Sequence, residues 1–227
     1  MKVISIFKSV NGEICAEHQG SIAAFLRLWG CNFNTLGLGV GKCTYCDTPK
    51  CRDDRYCIDM TYKEVLDKIL SFNTRNVTIT GGEILLQQDD VLKLTNSLSE
   101  RGKKVSIETN GSIKVPFFPS SPTQYLYPSW VVDWKLPSSG MSDQMRFKNF
   151  ENVGCFDFVK FVVGDRNDFD AALIVMKELK KSIVSNFAFS PVMPKLNPKT
   201  LVNWMLEEEL CNDTIFNLQI HKIINVQ

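Results

Sequence analysis

No stretch of the chain approaches the ~20 consecutive apolar residues of a membrane-spanning helix. The opening Met1-Lys2-Val3-Ile4-Ser5-Ile6-Phe7-Lys8 also lacks the apolar run of a signal peptide. A cytoplasmic protein with no membrane partner is expected. An excess of one charge is missing too: 26 Lys and Arg face 25 Asp and Glu, for a net charge of +1. The basic surplus by which a nucleic-acid binder holds a polyanion is therefore absent. Linkers rich in Pro, Gly or Ser, low-complexity tracts and short repeats are lacking as well. The 227 residues read as one domain, 1–227, and 44% hydrophobic with 22% charged residues is a globular composition.

What the chain does have is cysteine. Eight cysteines in a reducing compartment point to metal or redox chemistry before disulfides. Five of them, Cys31, Cys43, Cys46, Cys51 and Cys57, fall within 27 residues. Cys15, Cys155 and Cys211 read instead as small core hydrophobes. Cys31-x11-Cys43-x2-Cys46 supplies three thiolates, two of them on one tight loop. Thiolate is soft and anionic, so it suits iron–sulfur clusters and zinc alike. Three protein ligands would leave one iron of a cubane open to a chelating substrate or cofactor. Zinc, with Cys51 or Cys57 as fourth ligand, stays open on spacing alone, although a zinc knuckle normally repeats a C-x2-C pair that occurs once here.

Short runs rich in β-branched and aromatic residues predict strands at Ile22–Leu28, Val77–Thr80, Lys104–Glu108, Trp130–Asp133, Phe158–Val163, Phe187–Ser190 and Thr214–Gln219. Between them, helical stripes cover Asp89–Leu98, Asp168–Lys181 and Pro198–Leu210. A further helix opens at a capping box, Thr61-Tyr62-Lys63-Glu64. Alternating strands and helices predict an α/β fold with a parallel sheet. Ser112–Ser129, with four prolines and no helical period, predicts a shortened or replaced crossover. A full eight-unit barrel takes about 250 residues, so a partial or distorted TIM-like (β/α) barrel of about six parallel strands fits better. Distinctive polar residues fall repeatedly after predicted strands, at the rim where such folds place their sites.

Several of those residues allow two readings each. Gly81-Gly82-Glu83 lets the backbone approach a ligand while Glu83 accepts a charge-assisted bond, or it is a plain turn. Glu108 could hold hydroxyl groups or be a surface carboxylate before the Asn110-Gly111 turn. Arg27 interrupts the apolar Phe25-Leu26-Arg27-Leu28-Trp29; facing inward it needs an anionic partner, facing outward it needs none. His221, one of two histidines, reads unaided as structural.

Leu28-Trp29-Gly30-Cys31-Asn32-Phe33 with Cys43-Thr44-Tyr45-Cys46-Asp47-Thr48 resembles the cluster loop of the radical S-adenosylmethionine superfamily. More narrowly, it resembles the 7-carboxy-7-deazaguanine synthase family. Gly12-Glu13, Thr80-Gly81-Gly82-Glu83, Glu108-Thr109-Asn110-Gly111, Asp133-Trp134-Lys135-Leu136-Pro137-Ser138-Ser139-Gly140 and Gln219-Ile220-His221-Lys222 extend the likeness over nearly the whole chain. Two departures stand out. Eleven residues separate Cys31 from Cys43 where the superfamily commonly has three, and Ile84 replaces the usual proline after Gly-Gly-Glu. Gly37, Gly39 and Gly41 would let the extra segment loop out beside the cluster.

The resemblance implies a barrel of the radical S-adenosylmethionine type with a cluster-binding loop at 30–57, holding a [4Fe–4S] cluster on Cys31, Cys43 and Cys46. It implies S-adenosylmethionine contacts from Tyr45, Gly81, Gly82, Glu83, Glu108, Asn110, Lys135 and Ser138. Substrate contacts would come from Gly12, Glu13, Arg27, Thr80 and His221, and Mg²⁺ would bind Thr48. The implied reaction is contraction of a carboxytetrahydropterin to 7-carboxy-7-deazaguanine with loss of ammonia. An electron donor such as flavodoxin or ferredoxin and a homodimer are implied as partners. Two rivals remain: a radical activase that installs a glycyl radical on a partner protein, and a zinc-stabilised interaction module without enzymatic activity.

Overall fold

Strands form where apolar residues alternate with residues that face a different environment, and among the described residues they assemble into one sheet. A computed structural model describes residues 1–15, 18–34, 43–118 and 127–226. The sheet contains β1 (Lys2–Val10), β2 (Ile22–Leu28), β3 (Ile58–Asp59), β4 (Asn76–Gly81), β5 (Lys104–Thr109), β6 (Ser129–Trp134), β7 (Phe158–Val163), β8 (Asn186–Pro191) and β9 (Thr214–Phe216). Their order is β3-β1-β2-β4-β5-β6-β7-β8-β9. From β2 to β9 every neighbouring pair is parallel. Six of these strands have six or seven residues, and β9 is a three-residue addition.

Two strands at one side of the sheet have no counterpart among the predicted ones. β1 pairs antiparallel with β2, and β3 pairs antiparallel with β1. β1 forms by folding back on β2, a long-range contact that its own weak alternation does not announce. β9 is shorter than the predicted Thr214–Gln219. Asn217 ends it: the Asn217 N–H donates to the Phe189 carbonyl at 2.8 Å and its side-chain oxygen accepts the Ile14 N–H at 3.0 Å. Gln219-Ile220-His221-Lys222 consequently opens a short helical turn instead of ending a strand.

The helices are α1 (Tyr62–Ser71), α2 (Gln88–Ser99), α3 (Arg166–Leu179), α4 (Pro198–Glu207) and α5 (Ile220–Ile223). The capping box at α1 is complete: Glu64 accepts the Thr61 N–H at 2.7 Å and Thr61 accepts the Glu64 N–H at 3.3 Å. α1 buries Val65, Leu66 and Ile69. Among the described residues between β5 and β6 no helix occurs; residues 119–126 of the proline-rich segment lie outside them. Cys15 and Cys211 are buried, but Cys155 is exposed, because it lies on the turn that leads into β7.

Alternation sorts the parallel strands into two faces. Leu26, Ile79, Ile107, Val132, Phe161 and Phe189 point into the core, each at most 1% exposed. Phe189 packs at 5.2 Å from Phe161 and 5.5 Å from Phe169 of α3, ring centre to ring centre. Arg27, Thr80, Glu108, Asp133 and Lys160, on the opposite face, line a cavity. Phe189→Ala should cost about 3–5 kcal/mol in denaturant unfolding. Thr61→Ala, which removes only a helix cap, should cost about 1 kcal/mol.

Candidate active site

Five neighbouring strands supply one polar row. Arg27 of β2 lies level with Thr80 of β4, and Asp133 of β6 lies level with Lys160 of β7. Glu108 of β5 sits between the two pairs and accepts the Thr80 hydroxyl at 2.6 Å. The row borders a cavity of about 450 Å³, whose wall also includes Gly12, Glu13, Cys31, Cys43, Tyr45, Cys46, Thr48, Gly81, Gly82, Asn110, Lys135 and His221.

The cysteine loops are tied to the strand ends. Gly30 leads out of β2, its carbonyl accepting the Glu83 N–H at 2.7 Å. A Cβ on Gly82 would lie 2.0 Å from that carbonyl oxygen and 2.8 Å from the Cys31 Cβ, so only glycine lets the turn after β4 approach Cys31 this closely. Thr44 fastens the second loop, its N–H donating to the Ser139 carbonyl at 3.1 Å and its hydroxyl to the Ser138 carbonyl at 2.7 Å. Residues 35–42, where the inserted loop is expected, lie outside the described residues.

Cys31, Cys43 and Cys46 share one cavity wall. Burial pushes the Cys31 and Cys43 thiols up; the Phe33 N–H and the Lys135 ammonium, respectively, pull them back. Cys51, a candidate fourth zinc ligand, donates its thiol to the Thr48 carbonyl at 2.7 Å, and burial pushes it up to about 12. Cys57 lies off the cavity, just ahead of the edge strand β3. Among the described residues no three His, Cys, Asp or Glu side chains converge on a single-ion position. A cubane instead presents separate irons to separate thiolates, so three soft ligands spread along one wall fit a [4Fe–4S] cluster.

Around the row, charges are paired by geometry. Lys135 donates to Asp133 at 2.5 Å, and Lys160 pairs with Asp133 at 3.2 Å and with Glu13. Burial acts against the Lys135 and Lys160 ammonium groups, but these carboxylates more than offset it and hold both charged. Asp47 is held down at about 2 despite burial, chiefly by Lys222 at 2.6 Å. The Thr48 hydroxyl donates to Asp47 at 3.1 Å. Arg27 is different: its buried Nε has no hydrogen-bond partner among the described residues, and its guanidinium lies 5.4 Å over the Phe7 ring. His221 packs against Gly12, where a Cβ would meet its Nδ1 at 1.9 Å, and burial lowers its pKa.

Two predicted contacts lie behind the wall. The Glu83 carboxylate accepts the N–H groups of Leu85 and Asn110, each at 2.9 Å, and the Thr109 hydroxyl at 2.8 Å, all pointing into the protein. The Ser138 hydroxyl donates to Asp168. Lys160, Asp133, Asp47, Gln219 and Lys222 line the cavity without having been singled out as site residues. Lys160 carried the same signal as Arg27, a lone charge in an apolar strand, Phe158-Val159-Lys160-Phe161.

Burial and the nearby Glu13 carboxylate push Glu108 up to about 7, so near neutral pH it can donate or accept a proton. A carboxyl raised in the fold stabilises it below the unfolded pKa and loses that contribution as pH rises through the folded one. Glu108 should therefore erode stability from about pH 4.5 to about pH 7. Glu108→Gln is expected to flatten the unfolding free energy over that window, leaving a residue from Asp157, which burial raises to about 6. An unchanged slope would show that Glu108 titrates as a solvated carboxylate.

Residues 30–115 match the family model described as the radical SAM superfamily. A 7-carboxy-7-deazaguanine synthase from Clostridium acetobutylicum is 38% identical, the match covering 98% of this chain and 95% of that one. Enzymes of the same name from Methanospirillum hungatei and Leptospira interrogans are 34% and 31% identical, over 100% and 98% of this chain and 86% and 94% of theirs. The crystal structure of QueE from Escherichia coli superposes with a TM-score of 0.72 at 21% identity, covering 96% of this chain and 92% of that one, and so has the same fold. With a cavity holding the three cysteines and matches that run the length of the fold, the chain belongs to the 7-carboxy-7-deazaguanine synthase family of the radical S-adenosylmethionine superfamily.

Proposed function

We propose that the chain converts 6-carboxy-5,6,7,8-tetrahydropterin to 7-carboxy-7-deazaguanine with loss of ammonia, as a radical S-adenosylmethionine lyase. The observation that carries this reading is Arg27. Its guanidinium is inside the cavity that the three cysteines border, and its buried Nε lacks a hydrogen-bond partner among the described residues. A carboxylate-bearing substrate would meet that need, because a guanidinium binds carboxylate through directed, charge-assisted bonds. A cavity of about 450 Å³ suits a small bicyclic ligand better than a protein segment.

When bound, the [4Fe–4S] cluster and S-adenosylmethionine supply a carbon-centred radical that removes one hydrogen atom from the substrate. The chain's own task is placement. Cys31, Cys43 and Cys46 would hold the cluster, and Gly81 and Gly82 would let the cofactor lie against bare backbone. Arg27 would anchor the substrate carboxylate, while Glu13 would accept the pterin's ring N–H donors. Glu108, poised near neutrality, can hold or release a proton at its carboxyl oxygen inside the cavity. Thr48 beside the ionised Asp47 offers the hard oxygens that Mg²⁺ prefers. This reading includes an electron donor such as flavodoxin or ferredoxin, a homodimer, a single-domain chain and a cytoplasmic location. No helix among the described residues is long and apolar enough to cross a membrane.

Anaerobically reconstituted protein with reductant, S-adenosylmethionine, Mg²⁺ and the carboxypterin should yield 5′-deoxyadenosine and 7-carboxy-7-deazaguanine together. Cys43→Ala should abolish both. Deoxyadenosine without any substrate-derived product would keep the superfamily chemistry and reject this substrate.

A further inference from the structure

Lys160 is a buried cation with no role in the chemistry above. It lies mid-strand in β7, and its side chain is 8% exposed. An ammonium in that setting persists only with carboxylate partners. It has two, and they differ in kind. Asp133 belongs to the neighbouring strand β6, level with Lys160, and is itself clamped by Lys135 at 2.5 Å. Glu13 belongs to the connection that follows β1, outside any strand. Its backbone is not part of the sheet ladder; the flanking Gly12 carbonyl accepts the Ile220 N–H at 2.9 Å and the Ile14 N–H donates to Asn217 at 3.0 Å, and the direction of the Glu13 carboxylate is fixed by its own side-chain partners.

Those partners occupy both of its oxygens. Lys160 takes Oε2, and Gln219 donates to Oε1 at 2.6 Å. Gln219 is held in turn by Lys222 at 2.7 Å, and Lys222 reaches Asp47 beside Cys46. One side of the clamp on Glu13 is therefore a short C-terminal turn. The other, Lys160, is a central strand whose register both neighbours determine.

We propose that Lys160 is a positioning residue for substrate: from β7 it draws the Glu13 carboxylate into the cavity and aims it, as the acceptor for the pterin's ring N–H donors. Glu13 would act on the substrate and Lys160 on Glu13. The inference rests on the function proposed above, and the experiment separates the two.

The probe is 6-carboxypterin, the oxidised and redox-stable form of the ring system, titrated anaerobically into reconstituted holoenzyme and followed by its fluorescence. Lys160→Met should weaken binding by at least about tenfold. With the reduced substrate, KM should rise far more than kcat falls. Lys160→Arg, which keeps the charge, should bind within about threefold of wild type. If Lys160 works through Glu13, the double variant Glu13→Gln, Lys160→Met should bind no worse than Glu13→Gln alone. Should Lys160→Met fail to fold or to hold its cluster, Lys160→Gln, which keeps a donor but no charge, replaces it in the cycle. Wild-type affinity in the uncharged variant, fully additive losses in the double variant, or no rescue by arginine would each overturn the positioning role. A wild-type protein that fails to bind 6-carboxypterin would overturn the proposed substrate and this inference with it.

Discussion

A row of charged side chains on the cavity face of a parallel sheet is the constraint from which the rest of the site follows. Arg27, Glu108, Asp133 and Lys160 emerge from strands whose opposite face is packed with Leu26, Ile107, Val132 and Phe161. They cannot rotate to solvent without dragging the core face out of register, because neighbouring residues on a strand point to opposite sides. Buried charge must then be compensated where it lies. Asp133 is met by both lysines, Lys160 also by Glu13, and Glu108 by the Thr80 hydroxyl with its pKa raised to about 7. Arg27 carries a donor that the described residues do not satisfy. The sheet is thus preorganised around a polar space that a ligand completes.

The loops at the rim complete the site by short hydrogen bonds. Cys31 is brought against the Gly81-Gly82 turn by the Gly30 carbonyl, and Cys43–Cys46 is fastened to residues 138–139 through Thr44. Glu83 ties its own turn to Thr109 and Asn110, and Asn110 reaches Asn32 at 3.0 Å. The carboxylate of the Gly-Gly-Glu motif therefore braces the loops from behind while the glycines face the cavity. From the far side, α5 brings Gln219, His221 and Lys222 to Glu13, Gly12 and Asp47. Residues more than 200 positions apart share one wall.

Much of this was legible in the sequence where the signal is local. The ends of β2 and β7 were read at the observed residues, and the Thr61 capping box is complete in space. Fifteen of the seventeen residues singled out as site candidates line the cavity. Glu83 and Ser138 do not, because partners distant in sequence, Thr109 and Asp168, claim their side chains. β1 and β3 were missed because antiparallel edge pairing is a tertiary event with little local signature. β9 was overextended because Asn217 is turned aside by contacts with Phe189 and Ile14. Lys160 went unremarked although its strand context matched that of Arg27.

By itself the sequence determined the central parallel strands and the main helices, the order of the strand-end motifs and the candidate three-thiolate donor set, since periodicity, capping and ligand softness are properties of short segments. Only the tertiary structure decided which charges face one another and that a donor of Arg27 is left for a ligand. It alone showed that Glu13, from the first turn, lies between Lys160 and Gln219. Those outcomes depend on register and on desolvation. Both arise only when strands far apart in the chain are brought side by side and water is removed from between them.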